Sequence, residues 1–398
     1  MDPDRFQRLA ALAVHGANVQ PGQIVLVNAE LGHEPLARAI AAEAYDRGAE
    51  FVDVWYFDVH VKRARIESAD PETLGFVPPW YGRRMVEHAE GRGARVTTTG
   101  PAAPGVLDGL DPTLTGRDHL PYLSEIPQIV SNRSTNWCIV PCPHPAWARL
   151  VYPDLPDDQA LERLWRELEH VLRLDEPDPA RAWDERMAVL KESARRLGER
   201  RFDAFELRGP GTDLRIGMLP SHVWWSADFH TEQGLRHFPN LPTEEVFTTP
   251  DAARTEGVVT ATKPLVLRDG TIIRGLRVRF EGGRAVEITA DENAEALRAS
   301  VELDDGATRL GELALVDGEG RIGALGTVFF DTLLDENAAS HIALGNGFAF
   351  AVDGDDAEHV NRSGMHVDFM IGSPELEVDG ITAAGEPVPV LRGGAWQI

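Results

Sequence analysis

The residues best able to do chemistry crowd into one stretch, Asp331 to Gly345. Leu333, Leu334, Ile342 and Leu344 would bury this stretch, and Asp335, Glu336, Asn337, Ser340 and His341 would leave water with them. Such burial costs several kcal/mol unless each group is paired or bound to a cation. Two readings satisfy that demand. Glu336 and His341 can be ligands of a divalent ion, since carboxylate oxygen and imidazole nitrogen both suit one. Alternatively, Asp335 or Asn337 caps a short helix. Glu336 and His341 stand five apart, off a common helical face, so a shared ion would require a bend between them.

Three further clusters lie in the same half of the chain. In Asn240–Phe247 two adjacent glutamates, Glu244 and Glu245, point to opposite faces of an extended segment, so only one can enter a given site. Arg309–Leu315 carries one glutamate, Glu312, at the mouth of an apolar strand. In Met365–Gly372 a strand would project His366 and Asp368 together, with Val367 and Phe369 behind. Such a His-x-Asp pair can hold a metal, and it is also compatible with an ordinary surface strand.

The elements that must position these residues divide the chain. A helix over 4–14, a strand at Ile24–Val27, a helix from Pro35 to Gly48 and a strand at Phe51–Phe57 form a strand–helix–strand unit. That order implies a right-handed crossover and a parallel sheet. A helix over 80–91 and a strand at 95–99 extend it. Residues 101–145 are rich in Pro and Gly and give no clear pattern. Two amphipathic helices follow, over 157–174 and through Trp183 to Gly198. Beyond residue 200 short β-runs dominate, near 204–207, 213–216, 257–262, 275–280 and 285–288. The Gly209–Asp213 segment reads as a turn, lacking the lysine and helix of a phosphate loop. The expectation is an α/β N-terminal domain with a parallel sheet and a helical linker region, residues 1–200. A β-rich α+β C-terminal domain, residues 201–398, then carries the metal site.

Composition narrows the partners. The 398 residues have a formal net charge of -25, which disfavours nucleic acid and anionic membrane. No apolar run reaches the length of a membrane span, and the acidic start, Met1 to Asp4, shows no secretory signal. The two cysteines, Cys138 and Cys142, are expected as buried thiols in a reducing compartment.

The blocks Asn240–Phe247, Leu310–Glu312, Asp335–Gly345 and His366–Ser373 resemble the signature segments of the M29 metalloaminopeptidases, the aminopeptidase T and aminopeptidase S group. The likeness extends over nearly the whole chain, through Trp137-Cys138, Trp147–Trp165, Gly209–Leu214 and Thr262–Leu265. It implies a cytoplasmic, homodimeric, two-domain enzyme that removes N-terminal residues from peptides with a free N-terminus, using two divalent ions (Zn, Co, Mn or Mg). It makes Glu245, Glu312, His341, His366 and Asp368 metal ligands, and Glu336 a further ligand or the general base. Five or six ligands exceed what one catalytic ion takes and suit two ions about 3.5–4 Å apart. Two positions depart from the family. A tyrosine expected seven residues after His341 is Phe348, and the loop after the Gly-Glu strand reads Asp317–Ile322 in place of a Ser-Pro-Ile-Ser-like sequence. Two other readings use the same residues. One places a single ring-cleaving iron on His341, His366 and Asp368; the other is a metal-binding homologue impaired in catalysis.

Overall fold

The computed structural model describes residues 3–118, 120–121, 123–267 and 270–398; Met1 and Asp2 of the acidic start lie outside the described residues. The chain divides into two compact units. The first holds residues 1–185 and 227–243; the second holds 186–226 and 244–398. The division falls inside the Pro179–Arg200 helix, which passes through Gly198 without stopping there. A single boundary at residue 200 differs from this division, because 227–243 return to the first unit.

The first unit is built on a four-stranded parallel sheet. Its order is Phe51–Phe57, Ile24–Glu30, Ala94–Thr99, Asn136–Pro141. Helices Pro3–Ala17 and Glu34–Asp46 bury Leu9, Leu12, Leu36 and Ile40 at helical spacing. Asn136–Pro141 lay hidden in the unpatterned stretch because its apolar residues are only Trp137 to Val140 between polar and proline neighbours. Its outer edge is covered by the returning segment: Ile139 N–H donates to Pro239 O at 2.8 Å, and Leu241 N–H to Ile139 O at 2.9 Å. Cys138 and Cys142 are free, buried thiols, and burial pushes both pKa values up.

The second unit contains an eight-stranded sheet and a five-stranded sheet. In the larger sheet Ala204–Gly209 and Thr212–Met218 are joined by a two-residue turn, Pro210-Gly211, where Gly211 takes φ +73°. The Gly209–Asp213 turn is thus a hairpin corner. The long Pro250–Thr260 strand pairs antiparallel with both Thr212–Met218 and Arg277–Glu281. Among the described residues no helix is long and apolar enough to cross a membrane.

Candidate metal centre

The five-stranded sheet runs in the order His366–Met370, His341–Gly345, Leu310–Val316, Glu245–Thr248, Trp225–Ser226, with antiparallel neighbours throughout. Its register explains how dispersed residues meet. Glu245 pairs with Val316, His341 with Ala314, Glu312 with Ala343, and Ala343 with Asp368. Paired residues share a face, and so do residues two apart on one strand. Glu245, Glu312, His341, His366 and Asp368 therefore project on one face of one sheet. The small side chain of Ala343 separates Glu312 from Asp368 and leaves room for both acids. Every residue of Leu310–Val316 and of His341–Gly345 is buried, so neither Glu312 nor His341 can be solvated by moving aside.

The donor atoms form two groups that share a residue. Ligand atoms of Glu245, Glu312 and His341 lie within 4.8 Å of one another, and so do those of Glu312, His366 and Asp368. His341 Nε2 stands 3.0 Å from Glu245 Oε2; His366 Nε2 stands 3.0 Å from Glu312 Oε2 and 3.2 Å from Asp368 Oδ1. Glu336, expected as ligand or base, falls outside both groups. It ends the short Thr332–Glu336 helix, which packs on the His366–Met370 strand, and the chain bends between it and His341.

Both histidines are oriented by backbone carbonyls. Nδ1 of His341 donates to Ala339 O at 3.1 Å, and Nδ1 of His366 donates to Asn346 O at 2.7 Å. A carbonyl can only accept, so the proton on each Nδ1 is fixed and each Nε2 faces the acids. Gly345 makes this possible: it has φ +105°, and a side chain there would collide with the Met365 carbonyl beside His366.

The electrostatics fit a divalent cation. Burial first, then Asp368 and Glu245, pushes the Glu312 carboxyl up to about 7. Burial, then Asp368 and Glu245, also holds Glu336 well above the usual carboxylate range. Burial alone would lower both imidazoles, yet Glu245, Glu312 and Asp368 hold His341 well up, as Asp368 and Glu312 do His366. Four carboxylates around two imidazoles make Nε2 a position where a divalent ion competes with a proton. Glu245 Oε2 is buried and, although near His341, has no hydrogen bond of adequate geometry. Such an oxygen suits a cation and is otherwise costly.

The remaining polar residues of the opening stretch hold the frame. The helix cap is Asp331, which accepts from Leu334 N–H at 3.3 Å. Asp335 accepts from the N–H groups of Phe329 and Asp331, and burial raises its carboxyl to about 6. Ser340 Oγ accepts from Val316 N–H at 3.1 Å. Glu244, facing away from Glu245 as extended geometry requires, meets Arg186 at 2.5 Å, and Arg186 also binds Asp317 at 3.0 Å. Trp396 Nε1 closes that buried cluster on Asp317 at 3.0 Å. Arg186 was not expected at the site, since nothing in its spacing within an amphipathic helix marks it; Asp317 opens the loop that departs from the family sequence. Phe348 stands beside the centre, its ring centroid 5.2 Å from that of His366.

Known proteins resemble the chain along nearly its whole length. The family model described as thermophilic metalloprotease (M29) matches residues 3–396. Aminopeptidase T of Thermus aquaticus is 41% identical over 409 residues, covering 99% of both chains. Aminopeptidase PepS of Streptococcus thermophilus is 37% identical, covering 99% of this chain and 98% of its own. The solved structure of wild-type AmpT from Thermus thermophilus superposes with a TM-score of 0.91 at 40% identity over 99% of both chains. With sequence and fold matched from end to end, the resemblance read from the Asp335–Gly345 and His366–Ser373 blocks holds, and the chain belongs to the M29 metalloprotease family.

Proposed function

We propose that the protein is an aminopeptidase that releases N-terminal residues from peptides through a dinuclear metal centre on the second unit. The observation that carries this is the pair of donor groups joined by Glu312. Glu245, Glu312 and His341 would hold one ion, and Glu312, His366 and Asp368 the other. Zinc, cobalt, manganese and magnesium all accept such nitrogen and oxygen donors to some degree. Divalent ions held there would supply Lewis acidity at the scissile carbonyl and acidify water.

The protein's own part is positional and proton-carrying. The backbone carbonyls of Ala339 and Asn346 keep the two imidazoles in the donor tautomer. The excess of carboxylates favours a substrate end that bears a free amine. Glu336, outside both donor groups but held in their field, is the proton carrier: a carboxylate oxygen takes a proton from the attacking water and returns it to the departing amine nitrogen. A single-iron centre on His341, His366 and Asp368 is less well supported, because the two histidines fall in different donor groups and Glu245 would be left over. The sequence likeness to the family further supports a cytoplasmic homodimer.

The test is titration of metal-stripped protein with one divalent ion at a time, followed by assay on free and N-acetylated forms of one peptide. Two equivalents per chain and cleavage of the free peptide alone are expected. A plateau at one equivalent, or equal cleavage of both forms, would overturn the reading.

A further inference from the structure

Next to the donor groups stands an aromatic wall that the chemistry above does not use. Phe348 lies 5.2 Å from His366 between ring centroids, at 48°. It stacks on Phe350 at 5.3 Å and meets Phe247 edge-on at 5.4 Å; Trp225 backs Phe350 at 5.2 Å. Phe247 is buried, whereas Phe348, Phe350 and Trp225 are each only partly covered. Their open faces are apolar surface beside a polar, acidic centre.

The wall is fixed in place. Phe348 N–H donates to Thr249 Oγ1 at 2.8 Å, and Trp225 Nε1 donates to Phe350 O at 3.1 Å. Val223 N–H donates to Ala351 O at 2.8 Å, and Ala351 N–H to Phe348 O at 2.9 Å. Aromatic rings held from both backbone and side chain present a preformed surface, which selects a ligand without an ordering cost.

We infer that Phe348 and Phe350 form a specificity subsite for a large apolar side chain, aromatic or branched aliphatic, flanking the bond to be cut. The inference rests on the aminopeptidase reading and adds to it the class of peptide. The Phe348 ring is 5.2 Å from the imidazole of the Glu312–His366–Asp368 group, so a substrate carbonyl held there would have its neighbouring side chains beside the wall. An apolar side chain there removes its own surface and that of the rings from water. A charged or small side chain gains nothing from the rings, and a charged one loses hydration. Each methylene in such a pocket is worth about 10–200-fold in discrimination.

The experiment uses the full chain loaded with the divalent ion that supports the highest activity. Two sets of unblocked tripeptides are compared by kcat/KM, one varying the first residue and one the second, each with Phe, Leu, Ala, Lys and Glu. One set should favour Phe and Leu over Ala, Lys and Glu by about ten-fold or more. In Phe350→Ala, and in the milder Phe350→Leu, that ratio should fall while bound metal per chain stays constant. Cleavage of unblocked peptides with flat or charge-favouring profiles in both sets would overturn the subsite and leave the aminopeptidase reading intact. Failure to cleave any unblocked peptide would overturn both. A ratio unchanged in folded, metal-loaded Phe350→Ala and Phe348→Leu would place the selectivity elsewhere.

Discussion

Asn337 Oδ1 accepts the backbone N–H of Glu244 at 2.7 Å, and this bond ties together the two segments that carry Glu245 and Glu336. The same side chain donates through Nδ2 to Leu333 O at 2.9 Å, and Nδ2 lies 3.4 Å from Glu336 Oε1. Asn337 is fully buried, so neither bond can be replaced by water without rearrangement. Glu244 is anchored from its other end by Arg186. The positions of Glu245 and Glu336 are thus set by one amide and one buried ion cluster.

Asn337→Ala should therefore lose stability and activity together. The Glu244 N–H would be left buried without an acceptor, a loss of about 1–3 kcal/mol. Urea unfolding of the metal-free variant measures that loss, and kcat of the metal-loaded variant should fall as Glu245 and Glu336 lose their common anchor. Parental values for both would show that the amide does not hold the two segments.

Glu336→Gln should fold, bind metal as the parent does, and turn over poorly. The amide keeps the shape at the end of the Thr332–Glu336 helix and cannot carry a proton. A loss of about 10²–10⁴-fold in kcat is the scale for removing a positioned general base. Full metal occupancy with near-parental kcat would remove Glu336 from the reaction. Loss of one metal equivalent would make it a ligand instead.

The pairing of donors was legible where strand alternation alone decided it. His366 with Asp368, and Glu245 facing away from Glu244, follow from a period of two. Which strands lie side by side is long-range information. The neighbours of Leu310–Val316 come from positions 245–248 and 341–345, and no local pattern names them. The family resemblance supplied a set of expected ligands, not the order of the strands that carry them. Of the two readings of the Asp331–Gly345 stretch, the helix cap falls on Asp331 and not on Asp335 or Asn337, because the helix starts four residues earlier than its acidic block suggests; His341 joins a donor group and Glu336 does not. The anchoring carbonyls of Ala339 and Asn346 left no trace in the sequence, since every residue carries a carbonyl and only the fold selects these two. Gly345 was visible only as the end of a block; its left-handed conformation gives the reason.

The first unit should be acid-sensitive through two buried histidines. Burial, then the charge of His144, lowers His33 to about 4; burial, with His230 and Arg95 adding to it, lowers His237 to about 4. Both are nearly inaccessible to solvent. A histidine near 4 when folded and near its ordinary 6.5 when unfolded is neutral in the native state while the unfolded chain takes up protons. Its contribution is fully present above pH 6.5 and is lost as pH falls from 6.5 toward 4. Urea midpoints measured across that window should fall with pH. The His33→Gln, His237→Gln double variant should show a shallower fall, and an equal slope would assign the acid sensitivity to other groups.

Phe348 is where the chain departs from the tyrosine that the family resemblance implies, and its place beside His366 makes the change consequential. The phenyl ring is 5.2 Å from the imidazole, and its own backbone is fixed by Thr249. A tyrosine keeps that ring and its stacking on Phe350. It adds one hydroxyl that can donate to the charge developing on the scissile carbonyl. Removing one such donor in other enzymes costs about 10²–10³-fold in rate. Phe348→Tyr should then raise kcat more than it changes KM, because the new bond forms chiefly in the transition state. Stability should change little, since the ring and its packing are retained. The test is steady-state kinetics on one unblocked peptide, with metal content measured on the same samples. A kcat that is unchanged or lower at full metal occupancy would mean that the hydroxyl finds no developing charge, and that this site works without the donor its relatives are expected to carry.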